Sequence, residues 1–118
     1  MIFKEGQAIF MQIAERICDE ILAEKYAADA RIPGVRDYAA NLEVNINTVV
    51  KAYEQLAQRD VIYNKRGLGY FVSTNAKAQI LQSRRDTFFN RELPELVLRM
   101  HQLGITPNDI KKAYDEHD

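Results

Sequence analysis

One change of period constrains this chain more than any other feature. Up to about residue 59, and again from residue 76, apolar residues recur at helical spacing; between these stretches the period becomes that of a strand. Val61-Ile62-Tyr63 and Tyr70-Phe71-Val72 are short β-branched and aromatic runs, separated by Asn64-Lys65-Arg66-Gly67-Leu68-Gly69 with its two glycines. A hairpin with a basic tip therefore interrupts an otherwise helical chain. The predicted class is mainly α with a small β-hairpin.

The helices before the hairpin are readable one by one. Ile9, Ile13, Ile17 and Ile21 recur every four residues, flanked by Phe10, Cys18 and Leu22, with Glu15, Asp19, Glu20 and Glu24 on other faces. This predicts an amphipathic helix over about 7–24. Tyr26 to Gly34 carries Asp29, Arg31, Pro33 and Gly34 and reads as a connection. A short helix is expected from Val35 to near Glu43, with Tyr38, Ala39 and Leu42 apolar. Asn45 is placed to cap the next helix, whose apolar face is Val49, Ala52, Tyr53 and Leu56. Helix, helix, short turn, helix, hairpin is the order of a winged helix-turn-helix, expected over 1–75.

The remainder, 76–118, is helical again. One helix is predicted from Ala76 to about Asn90. Pro94 either kinks it or starts another, because proline donates no N–H and clashes with the preceding turn. Gly104 stops the next helical face, and Thr106-Pro107-Asn108-Asp109 reads as an N-cap for a last helix over about 107–116. A segment of about 43 residues is too small for a core of its own. Its apolar stripe, Phe88, Phe89, Leu93, Leu96, Val97, Met100 and Leu103, therefore needs a partner surface: either the first domain or a second copy of itself.

Composition excludes several classes. At 118 residues, 47% hydrophobic and 28% charged, the chain is one soluble domain's worth. No apolar run approaches the roughly 18 residues of a membrane span, and MIFKEGQAIFMQIAER has neither an apolar h-region nor a cleavage site. The single cysteine, Cys18, fits a reducing cytoplasm and a small buried hydrophobe. Net charge is −1, yet residues 31–75 hold six basic against four acidic groups, so the middle is mildly basic. His101 and His117 lie sixteen apart without further ligands at metal spacing, Thr106 is better read as a cap than a nucleophile, and no Gly-rich phosphate motif occurs. Neither enzyme, metal nor cofactor is expected.

The residues that remain point to nucleic acid. Asn45, Asn47, Thr48 and Lys51 cluster at one end and face of the third predicted helix, where short polar side chains reach base edges and phosphates in a major groove. Arg36, at the start of the second helix, is placed for the DNA backbone. Lys65 and Arg66 at the hairpin tip suit a minor groove, and Gly67 and Gly69 permit a tight turn and close backbone approach. Tyr38 and Tyr53 are read as core residues.

In order and spacing, QAIFMQIAERICDEIL, IPGVRDYAANLEVN, NTVVKAYEQL and RGLGYFV resemble the DNA-binding domain of the GntR family of bacterial transcription regulators, over about residues 7–74. FFNRELPELVLRMHQLGITPNDI is similar to the compact C-terminal segment of the YtrA-type subfamily. The resemblance implies a homodimeric repressor of double-stranded DNA, often acting on neighbouring transporter genes, with 76–118 for dimerisation and no large ligand pocket. It leaves any small-molecule effector open. The chain departs from the family where Ile46 stands for an Arg or Pro, Val50 for a small or basic residue, and Arg59-Asp60 for an acidic-Gly pair. Two rivals are a winged-helix module that meets an acidic protein instead of DNA, and a small-molecule sensor or enzyme.

Overall fold

A computed structural model describes residues 2–117. Its elements are α1 (Ile9–Leu22), α2 (Val35–Leu42), α3 (Ile46–Gln58), β1 (Ile62–Lys65), β2 (Gly69–Val72), α4 (Ala76–Thr87), a π-helical turn (Phe88–Glu92), α5 (Leu93–Leu103) and α6 (Pro107–Glu116). The chain divides into two units, one ending at Leu81 and the other beginning at Gln82.

The first unit is built on the four-residue spacing of α1. Ile13, Ile17 and Ile21 are buried with Ala14 and Cys18, and they meet Val49, Ala52, Tyr53 and Leu56 of α3. Val61, Ile62 and Val72 of the hairpin and Ile32 of the connection close the core. Ala76 and Ile80 are also buried in it, which carries the unit past residue 75, the boundary expected from the sequence, into α4. Ile9 departs from the expected stripe: it opens the helix and is 45% exposed. Gln12 is buried instead. Its side chain accepts from Lys4 N–H (2.8 Å) and donates to the carbonyls of Lys4 (2.9 Å) and Gln7 (3.0 Å), so its polar atoms are satisfied by the chain that leads into α1.

Tyr53 organises the middle of this core. Its ring lies edge-on to Tyr38 (6.1 Å) and Tyr70 (5.2 Å), and its hydroxyl donates to the Pro33 carbonyl at 2.6 Å, holding the connection against α3. Tyr38 donates to Glu20 at 2.7 Å, tying α2 to α1. Burial foremost pushes both phenols above their ordinary range, so both remain donors at any working pH. Tyr53→Phe keeps the ring and leaves the half-buried Pro33 carbonyl without this partner. It is expected to cost about 1–3 kcal/mol in urea unfolding without a change in m-value; a loss below about 0.5 kcal/mol would mean that the Pro33 bond contributes nothing net.

In the second unit Pro94 does not break the helix. The chain passes from α4 through the π turn into α5, with Leu93 itself helical (φ −66°, ψ −46°). An i→i+5 turn just before a proline widens the helix where the missing N–H and the ring would disrupt an α ladder. Gly104 ends α5 in the left-handed region (φ 68°), and Ile105 N–H returns to Met100 O at 2.9 Å. Thr106 and Asp109 form a reciprocal capping box on α6. Bonds from the Thr106 backbone, then from its hydroxyl, hold the Asp109 carboxyl below its usual range. Among the described residues from Gln82 onward, none is buried.

Candidate nucleic-acid interface

The helix-turn-helix is shaped by its turn. Glu43 takes a left-handed conformation (φ 55°), and Val44 N–H bonds back to Ala39 O at 3.1 Å, closing α2. Asn45 then caps α3, its Oδ1 accepting from Asn47 N–H at 2.8 Å. Asn45 thus has a structural task in the free protein.

Asn47 and Lys51 are exposed one turn apart on α3, and Thr48 beside them is half-buried. Ile46 and Val50, two of the departures, are half-buried, and Ile46 packs against the core. The Lys51 ammonium stands 4.2 Å from the centre of the Phe10 ring, a cation–π contact that steadies it over α1. Beyond Lys51 the exposed stripe ends in Glu54 and Gln58. An acid there disfavours a helix lying full length along phosphates and restricts the DNA-compatible part of α3 to its first turns. The sequence reading passed over Glu54, although its spacing from Lys51 already placed it on that face. Arg36 is exposed in the first turn of α2.

The wing is an antiparallel ladder pairing Ile62 with Val72, Tyr63 with Phe71, Asn64 with Tyr70 and Lys65 with Gly69. Arg66, Gly67 and Leu68 form its loop, with Gly67 at φ 78° and Leu68 N–H donating to Lys65 O at 2.9 Å. Leu68 is 60% exposed at this basic tip, an apolar residue that the sequence reading overlooked. The far edge of β2 is also paired: Ile32 N–H to Tyr70 O (3.0 Å), Val72 N–H to Ala30 O (2.9 Å) and Asp29 N–H to Val72 O (2.8 Å). Asp60, where the family carries glycine, sits at φ 58°, a left-handed position that explains the preference for glycine.

Ion pairs engage several acids at the first helix. Three acids of the first helix and the residues just after it are matched: Glu15 with Arg59 (3.3 Å), Glu20 with Lys25 (3.1 Å) and Glu24 with Lys77 (2.6 Å). Among the described residues, Arg36, Lys51, Lys65 and Arg66 have no carboxylate partner. These four cations stand on the helix-turn-helix and wing, where they favour a polyanion, beside Asp37, Glu43 and Glu54, acids likewise unpaired among the described residues.

The sequence profile of the bacterial regulatory proteins, gntR family, matches residues 10–72. The chain belongs to the GntR family. It is similar to the transcriptional repressor YtrA of Bacillus subtilis, 30% identical over 86% of this chain and 78% of that protein. It is also similar to a solved GntR-family regulator from Bacteroides thetaiotaomicron, with 45% identity, a TM-score of 0.83 and coverage of 92% of this chain and 95% of that one. The DNA-binding part of AraR, solved in complex with operator ORX1, shares 25% identity at a TM-score of 0.55, covering 61% of this chain and 93% of that one. This GntR chain is a DNA-binding transcription regulator with a winged helix, and the family consists of regulators rather than enzymes.

Other features of this regulator are plain. No helix among the described residues is long and apolar enough to cross a membrane. Cys18 is fully buried, and His101 is an exposed residue of α5. A cleft of about 580 Å³ in the first unit is lined by Ile21, Tyr26, Ala27, Val72 and Ala76, with the Glu24–Lys77 pair among its residues. Its lining has no buried polar side chain of the kind that orients a small ligand.

Proposed function

We propose that this GntR regulator is a cytoplasmic homodimeric repressor that covers a two-fold operator. The first unit, expected over 1–75 and running on to Leu81, supplies the DNA-binding domain, and the rest of 76–118, from Gln82 onward, supplies the dimer contact. One observation supports the dimer above all. Not one described residue from Gln82 onward is buried, while Phe88, Phe89, Leu96, Val97 and Leu103 stand 40–63% exposed. Leu93 and Met100 flank them half-buried. A helical segment without an interior requires a second apolar surface, and a second copy supplies the same one by symmetry. Leu98 and Ile105, which lie outside the expected stripe, and Ile110 of α6 add to the exposed apolar area.

On DNA, Asn47 and Thr48 meet base edges in the major groove, with Asn45 at the helix end. Arg36 and Lys51 hold phosphates, and Lys65, Arg66 and Gly67 bring the wing along the minor groove. Repression follows from occupancy: a dimer seated on a promoter excludes polymerase. YtrA, a relative of similar length, is named a repressor.

A salt-titrated gel shift on the DNA upstream of the chain's own coding region tests this reading. The expected result is a sharp shift that weakens steeply with salt, together with loss of transcription from that template. Binding equal on a random duplex would remove the operator from that region, and no binding at low salt would favour a protein-contact role for the winged helix.

A further inference from the structure

We infer that Arg31, in the connection between α1 and α2, is a DNA-phosphate contact of the wing. Arg31 and Lys65 flank the side-chain-free position at Gly69. The inference rests on the DNA-binding activity of the winged helix and adds a residue outside the helix-turn-helix and the wing loop.

The ladder places these groups on one surface. Arg31 bridges Phe71, Phe71 pairs with Tyr63, and Lys65 pairs with Gly69. Directly paired residues of antiparallel strands share a face, as do alternate residues of one strand. Arg31, Tyr63, Lys65, Gly69 and Phe71 therefore lie on the same face of the wing, opposite the buried Ile62, Val72 and Ile32. Tyr63 and Phe71 stack at 5.8 Å, and the Lys65 ammonium stands 4.6 Å over the Phe71 ring.

Gly69 makes room for the guanidinium. A Cβ built at Gly69 would meet Arg31 Nε at 3.1 Å and Nη2 at 3.4 Å, so any side chain there would compete with the guanidinium for its place. The Gly69 backbone itself, at φ 103°, is one that glycine adopts freely. Arg31 thus lies along the wing backbone as an exposed residue, its guanidinium occupying the space that a side chain at Gly69 would take.

Its charge is also unspent. Arg31 is exposed and, among the described residues, makes no ion pair. The acid two residues before it, Asp29, has both carboxylate oxygens engaged by hydroxyls, accepting from Tyr63 at 3.1 Å and Thr74 at 2.9 and 3.0 Å. A planar guanidinium beside a second cation matches a phosphate diester, to which arginine can donate two parallel hydrogen bonds.

The test is the salt dependence of duplex binding by fluorescence anisotropy, using the upstream duplex and a random-sequence duplex of equal length. Wild type is compared with Arg31→Met, which keeps a long apolar stem on Gly69 and removes the charge, and with Arg31→Lys, which keeps the charge. Each phosphate contact contributes about 0.9 to the slope of log affinity against log salt, so a dimer loses about 1.8 in Arg31→Met. Between 1 M and 0.15 M salt that is about thirty-fold in affinity. Arg31→Lys retains most of the slope, and both variants melt with the wild type. If Arg31→Met does not fold, Arg31→Gln takes its place. A charge-removed variant that keeps the wild-type slope overturns the inference, whatever its melting temperature, because packing on Gly69 alone does not move a salt slope. Wild-type protein that binds neither duplex at low salt overturns the DNA-binding reading and this inference with it.

Discussion

Leu96→Glu is expected to yield a monomer that binds its operator 100-fold or more weakly, with the fold of the first unit intact. Leu96 is 42% exposed and Val97 40% exposed on α5, in a unit with no buried described residue. A glutamate there costs the isolated chain little, since it faces water. In a symmetric apolar contact it places two like charges on opposed faces, each losing solvent at a cost of several kcal/mol. The effect on DNA comes from geometry. Two winged helices joined in one particle bind the second half-site intramolecularly, which raises affinity by about 10²–10⁴ over a single module. Sedimentation equilibrium and a gel shift on the same samples check both halves of the claim. A variant that remains dimeric would place the dimer contact elsewhere, and a monomer with undiminished operator affinity would remove the need for a dimer.

The second large effect concerns sequence choice. Asn47→Ala and Thr48→Ala are expected to weaken operator binding strongly and random-duplex binding hardly at all, with the salt slope unchanged. A side chain reading a base edge is worth about 1–3 kcal/mol of discrimination, and a dimer reads two half-sites, so the loss is about 2–6 kcal/mol, or roughly 30-fold to above 10⁴-fold. Arg36→Ala and Lys51→Ala should instead lower both affinities together and flatten the slope. Asn45 is a poor choice for this comparison. Its Oδ1 caps α3 at 2.8 Å, and losing a cap costs about 0.5–2 kcal/mol of stability whatever the DNA does. Equal losses on operator and random duplex for Asn47→Ala would move that residue from base reading to backbone contact.

The period of apolar residues made most of the fold legible. Spacing of four located the buried face of α1, the two β-branched runs located the wing, and Asn45 and Thr106 marked helix starts that the structure caps with those side chains. Termini were less legible: Ile9 belongs to the pattern but lies where the helix begins, beyond the core. The π turn before Pro94 had no signal except the proline, which is equally compatible with a kink or a fresh start. For the candidate interface, composition counts the charges without saying which of them are paired. Glu15, Glu20 and Glu24 find their cations across sequence gaps of 44, 5 and 53 residues, and only the folded chain shows which cations remain free. Arg31 was hidden for a related reason: its position depends on a bridge to Phe71, forty residues away, and on the glycine two residues before that.

The pairing of β2 on both edges also bears on the heat of binding. Many nucleic-acid-binding arms order themselves only on contact and lose conformational entropy as they dock. Here β1 holds one edge of β2, and residues 29–32 hold the other through backbone bonds of 2.8–3.0 Å, so the base of the wing is already formed before DNA arrives. Docking then resembles the meeting of two prepared surfaces. The free energy gained from released counterions is largely retained rather than spent on ordering the wing, and the heat-capacity change of association is that of a contact between surfaces rather than of a folding event.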